Sequence, residues 1–404
     1  MKNSEFQYEI ITDERRLLAL KEEWDDLWNR ANGSHYQSFD FCWIAWQQVA
    51  KPKKRALRCI ILRERGKLAL VWPLVVHRRL LWKCLCPLCP DAADYSGLLI
   101  DLVSSPSKAI EGCWRVAMQE CGADFIHLPF LHERTDLYRI ASRSGPLVIQ
   151  TRNDSYVARL SEECAVRDWT SFCDSLGPSH GRRPGSSARR LARKGHLEWQ
   201  FIDPRDKAGV ARAVDLIFEW KRHWSDRVGK RGAWLDSVHY RNFLVEWISS
   251  ESPSPDIHLL ILALDGIPLT SLVFCVANRR VSTVIGGFNE AYRNSSPGLL
   301  AFEYVVKWAF DRQYDVDFGS GTELYKQFWA RGNVTNVWTL RAVASWWGRI
   351  GIVAQRLPFE QIAIHRRIRA HVRHSWAARV ARQPEFHPTF DGVAKESATG
   401  TKRM

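Results

Sequence analysis

Tyr325 and Lys326 stand side by side, preceded by two carboxylates, Asp317 and Glu323, and two glycines, Gly319 and Gly321. These residue types suit proton transfer and charge stabilisation. A phenol with a reference pKa of about 10 can protonate a departing anion. An ammonium group can stabilise an oxyanion or a phosphate. A carboxylate can accept a proton from an incoming nucleophile or orient it. The expected catalytic residues are therefore Tyr325, Lys326, Asp317 and Glu323. Plainer readings fit the same residues: a core tyrosine with a satisfied hydroxyl, a solvated lysine, an aspartate capping the turn that follows it. The glycines allow a bend that residues with a Cβ resist. Leu324, Phe328 and Trp329 supply apolar bulk beside the pair. The position is the carboxyl end of a short predicted strand, where α/β folds place their ligands.

Upstream, Arg280–Phe288 reads as a strand, residues 289–298 as a turn-rich loop, and residues 299–311 as a helix. Leu299, Phe302, Val306, Ala309 and Phe310 share one helical face. Ser296 is a candidate N-cap with Pro297 in the first turn. A helix start of this kind exposes N–H groups and the positive end of the helix dipole, which suits phosphate. Arg293, Asn294, Ser296, Gly298 and Leu299 are the expected cofactor-binding residues. An ordinary βαβ connection would show the same order.

The elements that position these residues are as follows. A strand at 5–12 precedes a helix from Asp13 to about Ala31 and a second from about Phe39 to Val49. Strands follow at 56–63 and 68–77, then a Cys-Pro loop and a strand at Ser96–Asp101. A helix at 106–121, a strand at 124–128, a helix near 132–143 and strand pieces at 146–150 and 155–160 complete this run. Gly177–Gly195 is basic, with Arg182, Arg183, Arg189, Arg190, Arg193 and Lys194 and no acid. It reads as a mobile loop running into a short helix, or as a linker. Placed ahead of the second half, it could reach across a cleft, and Arg189, Arg190 and Lys194 are expected to bind an anionic acceptor. The second half repeats the order: strand 197–202, helices 206–224 and 236–250, strands 257–264, 268–277 and 280–288, helix 297–312, strands 314–318 and 336–343. Lys221 and Trp224, at the end of the helix 206–224, are further candidates for the acceptor, or simply favour the helix dipole.

The chain resembles the BioF-like branch of the GNAT acyltransferases, including CelD-like proteins of bacterial cellulose and exopolysaccharide loci, themselves relatives of the Fem-type aminoacyltransferases. The matching pieces are Ser296-Pro297-Gly298-Leu299-Leu300, Asp317-Phe318-Gly319 with Gly321, and Tyr325-Lys326 with Trp329, together with Arg189-Arg190-Leu191. Near the N-terminus, Trp24 to Leu27, Gln37-Ser38-Phe39 with Trp43 and Trp46, and Asp94-Tyr95 fall in the family's order. The chain departs from the pattern at Ala188, where the family usually carries a lysine.

The resemblance implies a mixed α/β fold (α+β, mixed sheets) of tandem GNAT-like acyltransferase domains with a basic helical C-terminal extension. The implied boundaries are 1–160 for the first half, 161–196 for a basic linker, 197–345 for the acyltransferase domain, 346–383 for the extension and 384–404 for a disordered tail. It implies acyl-CoA as co-substrate, Tyr325 as proton donor to the leaving thiolate, and Asp94 and Tyr95 at the acceptor side of the cleft. The acceptor would be an amine or hydroxyl of a sugar, nucleotide-sugar or polysaccharide precursor. A non-catalytic accessory protein of envelope polysaccharide assembly, or an aminoacyl-tRNA-dependent transferase, are the rival expectations.

Composition narrows the partners. A net charge of +14 over 404 residues favours phosphates, nucleotides, anionic lipid or nucleic acid. Tandem aromatic modules for nucleic acid are not evident, so tRNA belongs to the rival reading alone. The ten cysteines make no disulfide framework and suit a reducing cytoplasm. Cys84, Cys86 and Cys89 look like half of a metal site without its other ligands, and no metal is expected. His365, His371 and His374 lie among arginines and read as surface residues. No run of about 18 apolar residues occurs, so no spanning helix is expected. Residues 346–382 hold eight arginines and one acid, with Ile364, Ile368, Val372, Trp376 and Val380 at four-residue spacing. That pattern fits docking on the second half or lying on the inner face of a membrane.

Overall fold

A computed structural model describes residues 6–90, 95–101, 103–145, 148–178, 183–229, 232–250 and 255–356. Its first run of elements is β1 (Tyr8–Ile11), α1 (Glu14–Leu18), α2 (Lys21–Arg30), α3 (Phe39–Ala45), β2 (Ala56–Leu57), β3 (Cys59–Glu64), β4 (Lys67–Trp72), β5 (Leu74–Arg79), β6 (Trp82–Pro87), β7 (Leu99–Ile100), α4 (Pro106–Gln119), β8 (Phe125–His132), α5 (Asp136–Arg143) and β9 (Val148–Ala158). Three short helices follow: α6 (Leu160–Glu163), α7 (Trp169–Leu176) and α8 (Ser186–Ala192). The second run is β10 (Leu197–Phe201), α9 (Lys207–Val228), α10 (Val238–Ile248), β11 (Asp256–Leu264), β12 (Ile267–Ala277), β13 (Arg280–Phe288), α11 (Pro297–Phe310), β14 (Asp315–Ser320), α12 (Leu324–Ala330) and β15 (Val334–Val343), ending in α13 (Trp346–Arg356). Residues 1–349 form one unit and 350–404 a second. The residues after 356, with the amphipathic pattern and tail read there, lie outside the described residues.

The fold is mixed α/β. One sheet has the order β1-β3-β4-β7; the other has eleven strands in the order β10-β11-β12-β13-β14-β9-β15-β8-β6-β5-β2. The strand β9, from the first run, lies between β14 and β15, antiparallel to both. Several local readings change. The expected strands 56–63 and 68–77 each divide between the two sheets, as β2 with β3 and as β4 with β5. Trp82–Pro87, within the expected Cys-Pro loop, is a strand, because it pairs with β5 residue for residue from Arg79–Trp82 to Leu74–Pro87. The two strand pieces at 146–150 and 155–160 are one strand, since β15 pairs with it continuously from Val148 to Tyr156.

β13 alternates cleanly, with Val281, Thr283, Ile285 and Gly287 buried and their neighbours less so, as a half-covered strand should. β12 is buried on both faces through Leu269–Cys275, as expected for a central strand. The helix α11 carries two apolar faces. Leu300, Ala301, Val305, Val306, Ala309 and Phe310 enter the core. Leu299, expected with them, points elsewhere: it is 41% exposed and lines a cavity, whereas Phe302 packs against the core and lines the same cavity.

The two runs share one core. Phe41 on α3 lies 5.1 Å from Phe243 and 5.3 Å from Trp247 on α10, edge to face in both cases. Such pairs add about 0.5–1.5 kcal/mol each beyond area burial. His35 completes the cluster against Phe41 and Trp247. Burial pushes its pKa down to about 4. His35 is therefore neutral in the fold near pH 6, while the unfolded histidine takes up a proton below about 6.5. Stability should fall as pH drops from 6.5 towards 4, by at most about 1.4 kcal/mol per pH unit from this residue. Urea titrations across that range check the slope, and His35→Leu should make it shallower, leaving the share of His127, whose pKa burial also lowers to about 4.

Candidate active site

The parallel pair β13 and β14 is joined only from Arg280–Asp315 to Ser282–Asp317. Beyond that point β13 runs on to Phe288 beside β12, while β14 stays with β9, its partner from Val316–Ala158 to Ser320–Ser155. The two strands diverge. The facing edge of β13 from Thr283 onward is left without a strand partner, and its backbone groups need other partners. A cavity of about 450 Å3 opens in this gap. Thr283 to Phe288 form one wall and Phe318 with α12 the other. α11 begins at its mouth and α9 closes the side with Trp220, Lys221 and Trp224.

Tyr325, Lys326 and Glu323 all line this cavity, as do Arg293, Ser296, Gly298 and Leu299. The expected catalytic and cofactor-binding residues are thus largely brought together. The Tyr325 ring stacks on Phe302 at 4.3 Å and meets Phe318 edge-on at 6.1 Å. Lys326 is only 6% exposed. Its ammonium donates to the Ser320 carbonyl at 2.5 Å and pairs with Glu323 at 3.1 Å. Burial works to raise the Glu323 pKa, but Lys326 and nearby donors outweigh it, and the carboxyl titrates below its usual range. Gly321, at φ +130°, makes this closure feasible, because a Cβ there would collide with Glu323 and Lys326. The helix α12 that carries the pair was not foreseen in the sequence. Its seven residues are too few to establish a period.

Ser296 stands at the N-cap of α11, but in the left-handed region at φ 54°, and its side chain does not cap the helix. Pro297 has no N–H to satisfy. The first-turn N–H groups of Gly298 and Leu299 have no partner inside the helix. A Cβ on Gly298 would meet the Phe288 ring at 3.1 Å, so its bareness lets the helix start sit tight against β13. Asn294 is engaged from outside the cavity: its carbonyl accepts from Arg190 at 2.9 Å.

That bond locates the basic segment. α8 packs beside residues 290–295 and against α11 and β10, and Glu303 on α11 accepts from the Gly185 N–H at 2.5 Å. The segment therefore lies on the α11 side instead of reaching across the cleft, and Arg189, Arg190 and Lys194 do not line the cavity. Lys221 and Trp224 do, with the ammonium 5.1 Å from the indole.

Asp317 lies behind the cavity wall, not in it. It is buried, and one of its carboxylate oxygens accepts from Tyr95 Oη at 2.7 Å and from the Gly319 N–H at 2.9 Å. Tyr95 Oη also meets Ser155 Oγ on β9 at 2.5 Å. His132 lies over the Tyr95 ring at 4.6 Å, its pKa lowered by burial against the pull of Asp317. Tyr95 is accordingly a buried tether between the two runs and not a cleft residue. Asp94 falls outside the described residues. Among the described residues no cluster of His, Cys, Asp or Glu is arranged to hold a metal, and the cysteines are free thiols. The cavity residues that sequence reasoning missed include Trp220, Ser271, Thr283, Ile285, Phe302 and Phe318. Trp220 and Trp224 were visible as an i, i+4 pair; the others face the cavity only because β13 and β14 diverge.

Residues 181–327 match the family described as acetyltransferase (GNAT) domain. These residues carry a GNAT acetyltransferase domain, which supports classing the protein as a GNAT-type acyltransferase enzyme. The match singles out no branch of the GNAT families. Among curated proteins none matches the chain by sequence. Solved structures resemble it in fold. The crystal structure of FemX is 11% identical with a TM-score of 0.54, covering 83% of this chain and 96% of that one. The DUF2156 C-terminal domain of a candidate lysylphosphatidylglycerol synthetase from Agrobacterium fabrum is 10% identical with a TM-score of 0.50, covering 85% and 95%. The GNAT domain spans β13, α11, β14 and the start of α12, and so includes the whole divergence. Among the described residues no helix is long and apolar enough to cross a membrane.

The Tyr95 tether makes a direct prediction. Tyr95→Phe leaves a buried carboxylate short of one donor, which should cost about 1–3 kcal/mol in urea unfolding. Wild-type stability in the variant would mean that Asp317 is satisfied without it.

Proposed function

We propose that the chain transfers an acyl group from acyl-CoA to an amine or hydroxyl of a sugar, nucleotide-sugar or polysaccharide precursor, with the donor in the gap between β13 and β14. The observation that carries this reading is the convergence of Tyr325 and Lys326 with the start of α11 on one cavity. The bare edge of β13 offers N–H and C=O groups to the amides of a pantetheine arm. The N–H groups of Gly298 and Leu299, the helix dipole and Arg293 suit its pyrophosphate.

In this reading the acceptor attacks the thioester carbonyl, and Lys326 stabilises the oxygen as it gains charge. Glu323, kept ionised by Lys326, takes the acceptor's proton directly or through water. As the carbon–sulfur bond breaks, Tyr325 gives its hydroxyl proton to the thiolate. The transfer is direct, since no cysteine or serine sits in a nucleophile arrangement. Trp224 and Lys221 offer the acceptor an apolar face and a positive charge, a combination suited to a phosphorylated sugar. The element order repeated in the two runs supports tandem GNAT-like halves, the first shaping the acceptor side. The Ser296–Leu300, Asp317–Gly321 and Tyr325–Trp329 motifs support the BioF-like branch.

Calorimetry with acetyl-CoA, paired with detection of released CoA by mass spectrometry over a panel of amino and phosphorylated sugars, tests the reading. Tyr325→Phe should leave donor affinity nearly intact and slow turnover. Lys326→Ala should lower turnover by about 10²-fold or more. A chain that binds no acyl-CoA, or variants that both keep full activity, would overturn it.

A further inference from the structure

The hairpin joining β5 to β6 ends in a two-residue turn, Leu80-Leu81, directly after the Arg79–Trp82 pair. Tight turns of this kind favour glycine, asparagine or aspartate, because one or both central residues need a positive φ. Here Leu80 holds φ 56°, and both leucines face solvent, 60% and 67% exposed. A bulky apolar residue in the left-handed region is uncommon and costly. Packing within the fold does not explain the choice, since neither side chain is packed.

The tip is also braced. Trp82 Nε1 donates to the Trp347 carbonyl at 3.0 Å, and Trp347 Nε1 donates to the Leu81 carbonyl at 3.4 Å. The Trp82 and Trp347 rings lie 6.1 Å apart, and Trp346 beside them is 71% exposed. Two leucines and an outward tryptophan are therefore held together on one rigid support. Arg78, Arg79, Lys83 and Arg349 surround them, all exposed. Among the described residues none of these four forms an ion pair. Asp124, the carboxylate beside Lys83, is occupied by the Lys83 N–H and the Ser345 hydroxyl.

We propose that this tip is a membrane-docking site, with Leu80, Leu81 and Trp346 entering the interfacial layer of an anionic bilayer and the four basic residues meeting its headgroups. Apolar side chains at an exposed tip, an interfacial tryptophan and a basic rim together match a peripheral membrane contact. Charge complementarity favours this occupant over a neutral protein surface. The chain carries a net charge of +14 overall. The inference is independent of the acyltransfer chemistry, because the tip shares no residue with the cavity between β13 and β14.

Sedimentation of the full chain with vesicles tests it, using phosphatidylcholine alone and phosphatidylcholine containing phosphatidylglycerol. The wild type should bind the mixed vesicles and not the neutral ones, with binding that weakens as salt rises. Leu80→Gly with Leu81→Ser suits the turn better than the native pair, so it should fold and lose at least about tenfold in vesicle partition. Arg78→Gln with Arg79→Gln should lose about fivefold per charge, as expected for basic residues near an anionic surface. Brominated lipid should quench tryptophan fluorescence in the wild type and less so in Trp346→Phe. Equal partition of the leucine variant and the wild type would overturn the proposal. So would a wild type that ignores anionic vesicles while the leucine variant changes oligomeric state, which would give the patch to a second copy. The same holds if the variant instead exposes the chain after residue 356 to protease, which would give the patch to the chain's own C-terminal segment.

Discussion

One strand exchange holds the molecule together. β9 is made from the first run of the chain but sits between β14 and β15 of the second. Its hydrogen bonds to β15 extend over nine residue pairs, so the two runs are joined by backbone pairing and not merely by docked surfaces. This pairing also shapes the site. β14 can leave β13 after Asp317 because its other edge stays paired with β9, from Val316–Ala158 to Ser320–Ser155. The gap that becomes the cavity is therefore a consequence of where the first run places a strand.

The chemistry of the gap follows from what lies on each side. Behind the wall, Asp317 is a buried carboxylate satisfied by a tyrosine hydroxyl and a backbone N–H, which is how a charge survives away from water. Within the cavity, Lys326 is a buried ammonium tied to Ser320 and Glu323. A charge placed and paired before the ligand arrives needs little reorganisation during reaction. The aromatic stack of Phe302, Tyr325 and Phe318 fixes the phenol ring at the same time. Polar and apolar restraints thus converge on two adjacent side chains.

Much of the second run was legible in the residues. β11, β12 and β13 carry long apolar stretches separated by tight turns, and α11 opens on a proline after the Ser296 cap position. Tyr325 and Lys326 stood out because they follow glycines at a strand end. The less legible parts depend on distant partners. Gln150 to Asp154 are polar, and nothing local says that they continue a strand; β15 does. Trp82–Pro87 holds two cysteines and a proline that suggest a loop, but β5 pairs along all of it. Tyr95 looked like a cleft residue from its order in the chain, and only the fold brings it to Asp317, 222 residues away. The basic segment showed its charge but not its direction, which is set by Arg190 on the Asn294 carbonyl and Glu303 on the Gly185 N–H.

The exchanged strand also sets a schedule for biosynthesis. Both partners of β9 come late in the chain, β14 starting at Asp315 and β15 ending at Val343. A ribosome adding about 5–20 residues per second would leave β9 waiting on the order of 8–30 s before either partner emerges. An unpaired strand is an invitation to aggregate, and the composition of β9 answers it. Gln150, Thr151, Arg152, Asn153 and Asp154 form its outer half, a polar and charged run poorly suited to self-pairing. The nascent first half can remain in solution, incomplete, until the chain that completes it arrives.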